Sequence, residues 1–170
     1  MGDKNYVYYV EGQCEEKLLK ISKTNTAVVP FFNVVNCACL NLSCITLRFM
    51  TFPGRIRRIS VFDTDTDNTA ILFENIKLLK RETAIYKVIC ITQVENLEDE
   101  IVRSCDVNTA KELTNSKSTG SFKSDFIRAS NLKGTLEKHQ FCFQDLWRKS
   151  TTKEHYHGIL NEADQIRLKK

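Results

Sequence analysis

Two short acidic signatures carry the chemistry written into this chain: Glu11 in Val10-Glu11-Gly12, and Asp63 with Asp65 in Asp63-Thr64-Asp65. Each ends a run of β-formers, Tyr6-Val7-Tyr8-Tyr9-Val10 in the first case and Ile59-Ser60-Val61-Phe62 in the second. Ligand sites of open α/β sheets form outside the carboxyl ends of the strands, so both signatures are expected on one rim. Carboxylates gathered there repel one another and favour a hard divalent cation that takes oxygen ligands. The chain therefore reads first as an enzyme dependent on Mg²⁺, or on Mn²⁺ in its place.

The elements that must position these groups follow from the apolar pattern. Residues 15–21 carry Leu18, Leu19 and Ile21 among charges, which predicts an amphipathic helix opening just after Gly12. Residues 27–35 are β-branched and aromatic, with Pro30 near their start, and read as a strand. Residues 40–52 read as a helix stopped by Pro53-Gly54. A strand over 59–62, a helix over 69–80 with Ile71, Leu72, Ile76 and Leu79 as its stripe, and a strand over 84–91 complete the alternation. Such βαβ units predict an α/β fold with a mostly parallel sheet flanked by helices. Asn96 is placed to cap a helix carrying Leu97, Ile101, Val102 and Cys105. The expected organisation is a core over 1–105 and a helical, polar C-terminal extension over 106–170 packed on the same domain, anchored by Phe141, Phe143 and Trp147.

The acidic loop has two competing readings. Asp63, Asp65, Asp67, Thr69 and Glu74 fall on ligand positions of a calcium-binding EF-hand loop, but Asn68 stands where the sharp turn needs Gly, and a β-branched run precedes the loop instead of a helix. An Asp-rich turn that only ends a strand and caps a helix is the simpler alternative. Glu11 favours the Mg²⁺ reading over the capping turn, because a carboxylate at a second strand end, followed by a Gly that permits close backbone approach, is hard to explain by capping.

With these residues in place, the chain resembles the TOPRIM fold shared by type IA topoisomerases, bacterial primases, OLD-family nucleases and RloB-like proteins of defence systems. The pattern is a Glu after the first strand and Asp-x-Asp after a later one, and the resemblance covers about the first hundred residues. Val10-Glu11-Gly12-Gln13-Cys14-Glu15 is most similar to the small RloB-like or OLD-like branch, where a second Glu follows the Gly. The resemblance implies a Rossmann-like sheet, Mg²⁺ held by Asp63 and Asp65 with Asp67 nearby, and Glu11 as ligand or proton carrier in phosphoryl transfer. It also implies a further carboxylate after the next strand, for which Glu98 is the candidate and Asp99 or Glu100 the substitutes, and a Lys that steadies the phosphate, for which Lys123 is the candidate. The implied activity is hydrolysis of DNA or RNA, in defence against phage or mobile elements. No Gly-rich phosphate loop is present, which disfavours the full OLD architecture.

Composition sets the outer bounds. A chain of 170 residues with 42% hydrophobic content suits one core, and a formal charge of +4 is too mild to identify a nucleic-acid binder by itself. Arg55, Arg57 and Arg58 before the Asp63 strand, and the lysines from Lys111 to Lys138, are the cations available to a phosphate-bearing partner. Seven cysteines without a secretory signal read as reduced thiols, and the Cys37, Cys39 and Cys44 cluster lacks a fourth zinc ligand nearby. No apolar run reaches the roughly 18 residues of a membrane span. The expectation is a cytoplasmic protein whose partner is nucleic acid, with a partner protein or a homodimer supplying further surface. The rival is a non-catalytic module of the same fold that binds nucleic acid or protein.

Overall fold

A computed structural model describes residues 5–25, 32–36, 56–65, 67 and 69–166. Four parallel strands form one sheet in the order β2-β1-β3-β4: β1 is Asn5–Val10, β2 Phe32–Asn36, β3 Ile56–Asp63 and β4 Ile85–Gln93. Helix α1 (Gln13–Asn25) follows β1, and α2 (Ala70–Arg81) links β3 to β4. Four further helices follow the sheet: α3 (Leu97–Ser104), α4 (Ala110–Thr114), α5 (Thr119–Arg128) and α6 (Leu132–Lys138).

The sheet is covered on both faces, which is why β3 and β4 are buried almost continuously instead of at alternate positions. Successive side chains still sort to opposite faces. Tyr8, Val10, Ile59, Val61, Ile89 and Ile91 pack with Leu18 and Leu19 of α1 and with Phe122, Phe126, Leu136 and Trp147. Val7, Tyr9, Phe62, Val88 and Cys90 pack instead with Leu72, Ile76 and Leu79 of α2 and with Tyr156. Helices α1 and α2 thus lie on opposite faces, and the residues after position 105 share a core with the strands. Burying Phe122 and Phe126, both with no exposed surface, contributes about 1.5–3 kcal/mol each toward holding α5 in place.

Local signals fix the ends. The Asn96 side chain accepts from the Asp99 backbone N–H at 3.1 Å, the expected cap of α3. Ser118 and Ser121 form a reciprocal capping box at the start of α5. At the other end of α5, Lys17 of α1 donates from Nζ to the carbonyls of Phe126, Ile127 and Ala129 at 3.0, 2.6 and 2.6 Å. That ammonium satisfies carbonyls the helix cannot pair itself and ties α5 to α1.

The structure departs from expectation in extent. The first helix starts two residues earlier than the apolar stripe and runs past it, and β3 and β4 are each extended beyond their apolar cores. The predicted helix over 40–52, the first residues of the predicted second strand, and Cys37, Cys39 and Cys44 lie outside the described residues. Cys14, Cys90, Cys105 and Cys142 are free thiols. Among the described residues after α6 there is no regular α-helix, against the expected helical extension: they hold two short 3-10 turns, Glu154–Tyr156 and Ala163–Gln165. Part of it covers the β4 edge, where the Glu162 N–H donates to the Cys90 carbonyl at 2.8 Å and the Cys90 N–H to Glu162 Oε2 at 3.1 Å. No helix among the described residues is long and apolar enough to cross a membrane.

Candidate functional site

Because β1 and β3 are neighbours while α1 and α2 leave toward opposite faces, the carboxyl ends of these two strands are the switch point of the sheet, the place where open α/β sheets form a ligand crevice. Glu11 stands immediately after β1 and Asp63 ends β3, so the crevice receives one carboxylate from each side. The Glu11 side chain reaches the end of β3, where the Asp63 backbone N–H donates to Glu11 Oε2 at 3.4 Å. A strand, not a helix, leads into the acidic loop, which removes the EF-hand reading.

Electrostatics at this point oppose ionisation. Burial pushes the Glu11 carboxyl up to about 7, with the charges of Glu15 and Asp65 adding to it and the Asp63 N–H pulling the other way. Burial likewise raises Asp63 to about 7, assisted by Glu15, Glu11 and Asp65 and opposed by a hydrogen bond from Gln93. Among the described residues no ion pair reaches Glu11, Glu15, Asp63 or Asp65. Gly12 makes room for this crowding, since a Cβ there would stand 2.6 Å from Glu15 Oε2.

Gln93, at the end of β4 and 1% exposed, holds the acids in register and was not among the expected site residues. Its Nε2 donates to Glu15 Oε1 at 3.3 Å and to Asp63 Oδ1, while its Oε1 accepts from Trp147 Nε1 at 3.1 Å. An indole N–H only donates, so Trp147 fixes the amide with its oxygen toward the indole and its NH₂ toward the carboxylates. Thr64, fully buried, ties the loops together by donating from Oγ1 to the Gln93 carbonyl at 2.7 Å and accepting from the Glu95 N–H at 3.2 Å. On the other face the Tyr156 hydroxyl donates to the Asp63 carbonyl at 3.5 Å, stacked on Phe62 with ring centroids 6.4 Å apart. Burial, with Asp65, Glu11, Asp63 and Asp67 adding to it, raises that phenol to about 12.

The other expected residues divide. Lys123 reaches the site from α5: burial opposes its charge, but Glu98, Asp63 and Glu15 together hold its ammonium above the usual lysine value. Glu98 pairs with Lys123 at 3.4 Å through Oε1, and its Oε2 is buried without a hydrogen-bond partner. Asp65 is exposed yet near enough to raise both Glu11 and Asp63. Asp67 turns outward, 81% exposed, with His155 Nε2 at 3.7 Å, and does not join the pair. Asp99 serves through its backbone N–H in the α3 cap. Glu100 is structural: fully buried, it accepts from the Val94 and Trp147 N–H groups, both at 2.9 Å, and from Arg103 at 2.7 Å.

Of the arginines before Asp63, Arg55 lies outside the described residues, and Arg57 and Arg58 are engaged away from this site. Arg58 lies five positions back on an extended strand, about 16 Å away, and stacks over the Tyr9 ring at 3.5 Å. Arg57 sits over Tyr6 and Tyr86 at 5.5 and 5.4 Å and donates to the Tyr6 hydroxyl at 3.0 Å. Aromatic faces near the amino end of β3 use these guanidinium groups.

Among the described residues, no group of three or more His, Cys, Asp or Glu side chains is arranged to hold a metal ion. The donor chemistry nevertheless suits Mg²⁺, which keeps several waters and uses one or two carboxylates together with substrate phosphates. Glu11 and Asp63 supply that pair, and Glu98 Oε2 is a further oxygen that the protein leaves unsatisfied. Compared with known proteins, the chain matches no family model, no curated protein and no solved structure.

Proposed function

We propose that this chain is a metal-dependent nuclease that hydrolyses phosphodiester bonds of DNA or RNA at the β1–β3 crevice. One observation carries the reading: two mostly buried carboxyl groups, Glu11 and Asp63, stand at the switch point of a parallel sheet, joined by the Asp63 N–H to Glu11 bond, and burial with neighbouring acidic charge raises both to about 7. A divalent ion bound there would neutralise charge developing on the scissile phosphate and make a bound water acidic enough to attack. Glu11 and Asp63 would hold the ion, with the exposed Asp65 and the unsatisfied Glu98 Oε2 as further oxygens. Gln93, locked by Trp147, keeps Asp63 and Glu15 from turning away. Lys123, kept charged by its acidic neighbours, steadies a non-bridging phosphate oxygen. The likeness to RloB-like proteins suggests defence against phage or mobile elements as the setting.

A non-catalytic binding module is the second reading, favoured by one specific feature: Asp65 and Asp67 do not close a cage of three ligands around the pair. Labelled DNA and RNA incubated with the protein in Mg²⁺, in Mn²⁺ and in chelator, beside Asp63→Ala, separate the two. The nuclease reading expects cleavage that needs the metal and is lost in the variant. Equal cleavage by both proteins would remove the assignment of the site, and no cleavage of any substrate would favour the binding module.

A further inference from the structure

We propose that the groove enclosed by α4, α5 and α6 binds the phosphodiester backbone of a nucleic-acid strand, as an anchoring surface separate from the carboxylate crevice. The groove has a volume of 870 Å³ and is lined by Lys117, Arg128 and Lys138. Among the described residues no ion pair engages any of these three cations. Asp125 is the acidic side chain on the lining, and its Oδ2 already accepts from Ser116 Oγ at 2.7 Å. Three positive charges against one negative, on a wall otherwise made mostly of hydroxyl and amide groups, suit a polyanion better than an apolar or a cationic ligand.

Spacing supports a polymer. Lys117 precedes α5 and Arg128 ends it, so a ten-residue helix separates them by about 15 Å, the axial length of about four phosphates in one strand. Phe122 and Phe126 turn α5 toward the core, which leaves Asp125 and Arg128 on the groove flank and Lys123 on the opposite flank, beside Glu98. A strand seated in the groove therefore crosses one helix width, about 10–12 Å, to reach Lys123, whose ammonium is held charged by Glu98, Asp63 and Glu15. The proposal takes from the nuclease reading only that the ligand is a nucleic acid, and its test needs no cleavage.

The experiment is fluorescence anisotropy of labelled single-stranded RNA and DNA 20-mers with the full chain in chelator, over a range of salt. The proteins compared are wild type, the combined Lys117→Ala, Arg128→Ala and Lys138→Ala variant, and Lys77→Ala, which removes an exposed cation of α2 on the opposite face of the sheet, each checked for its fold by circular dichroism. The combined variant is expected to bind at least about tenfold more weakly at low salt, with the slope of log affinity against log salt reduced by about 2 for three lost contacts to a single strand. Lys77→Ala is expected to bind as wild type does. Unchanged affinity and slope in the folded combined variant would overturn the proposal, as would a wild type that binds neither strand. Full displacement by millimolar inorganic phosphate would reduce the groove to a small-anion site and overturn it too. Failure of the nuclease reading is a different result: intact binding with no cleavage in Mg²⁺.

Discussion

Replacing Asp63 by Asn should stabilise the metal-free protein above neutral pH while removing its response to Mg²⁺. In the fold Asp63 is raised from 3.8 to about 7 and Glu11 from 4.5 to about 7. Between those limits the native state holds more protons than the unfolded chain, so the stability these groups allow is complete below their ordinary values and is lost as pH rises through about 7. For Asp63 alone the difference corresponds to at most about 4 kcal/mol. Part of that is repulsion shared with Glu11, and partial solvent access screens the rest, which leaves about 2 kcal/mol at pH 8. The substituted amide carries no charge and retains an oxygen to accept from Gln93 Nε2. Urea unfolding at pH 5 and pH 8 in chelator is the assay: wild type should lose stability between the two, and Asp63→Asn should lose much less. Mg²⁺ at a hundred times its dissociation constant should return about 2.7 kcal/mol to wild type and nothing to the variant. A variant less stable than wild type at pH 8 in chelator would refute the reasoning, because it would mean the Asp63 charge is favourably paired.

Three further outcomes are expected. Gln93→Leu should cost about 2–4 kcal/mol in denaturant unfolding, since it leaves Trp147 Nε1 unpaired and frees Asp63 and Glu15. Glu100→Ala should cost about 3–5 kcal/mol by stranding the Arg103 charge and the Val94 and Trp147 N–H groups; calorimetry on the folded fraction should still find Mg²⁺ bound with wild-type affinity. Lys17→Met should cost about 1–2 kcal/mol, with faster hydrogen exchange of α5 amides, because three carbonyls at the end of α5 lose their donor.

How legible the site was in the sequence depends on the reach of each interaction. Glu11 and Asp63 could be read because their positions follow from local pattern, a β-former run ending in an acid, and from the rule that parallel strands present their carboxyl ends together. The Asn96 cap was equally local. Gln93 was not, since its role depends on Trp147, brought in by tertiary packing from 54 residues further on. The same limit applies to Glu98, Asp99 and Glu100, three acids in one helical turn whose fates diverge with the face each occupies: one pairs with Lys123, one lends its N–H to a cap, and one is buried beneath Trp147. Arg57 and Arg58 looked available for phosphate by composition, but strand direction carries them to the far end of β3, among tyrosine rings.

Titration of the metal-free protein with Mn²⁺, followed by the electron paramagnetic resonance signal of the free ion, tests most directly whether Glu11 and Asp63 form a divalent cation site. Saturable uptake by wild type, lost in both Glu11→Gln and Asp63→Asn while the two variants remain folded, is the predicted result. Uptake by either folded variant equal to that of wild type, or none by wild type at neutral pH, would contradict it.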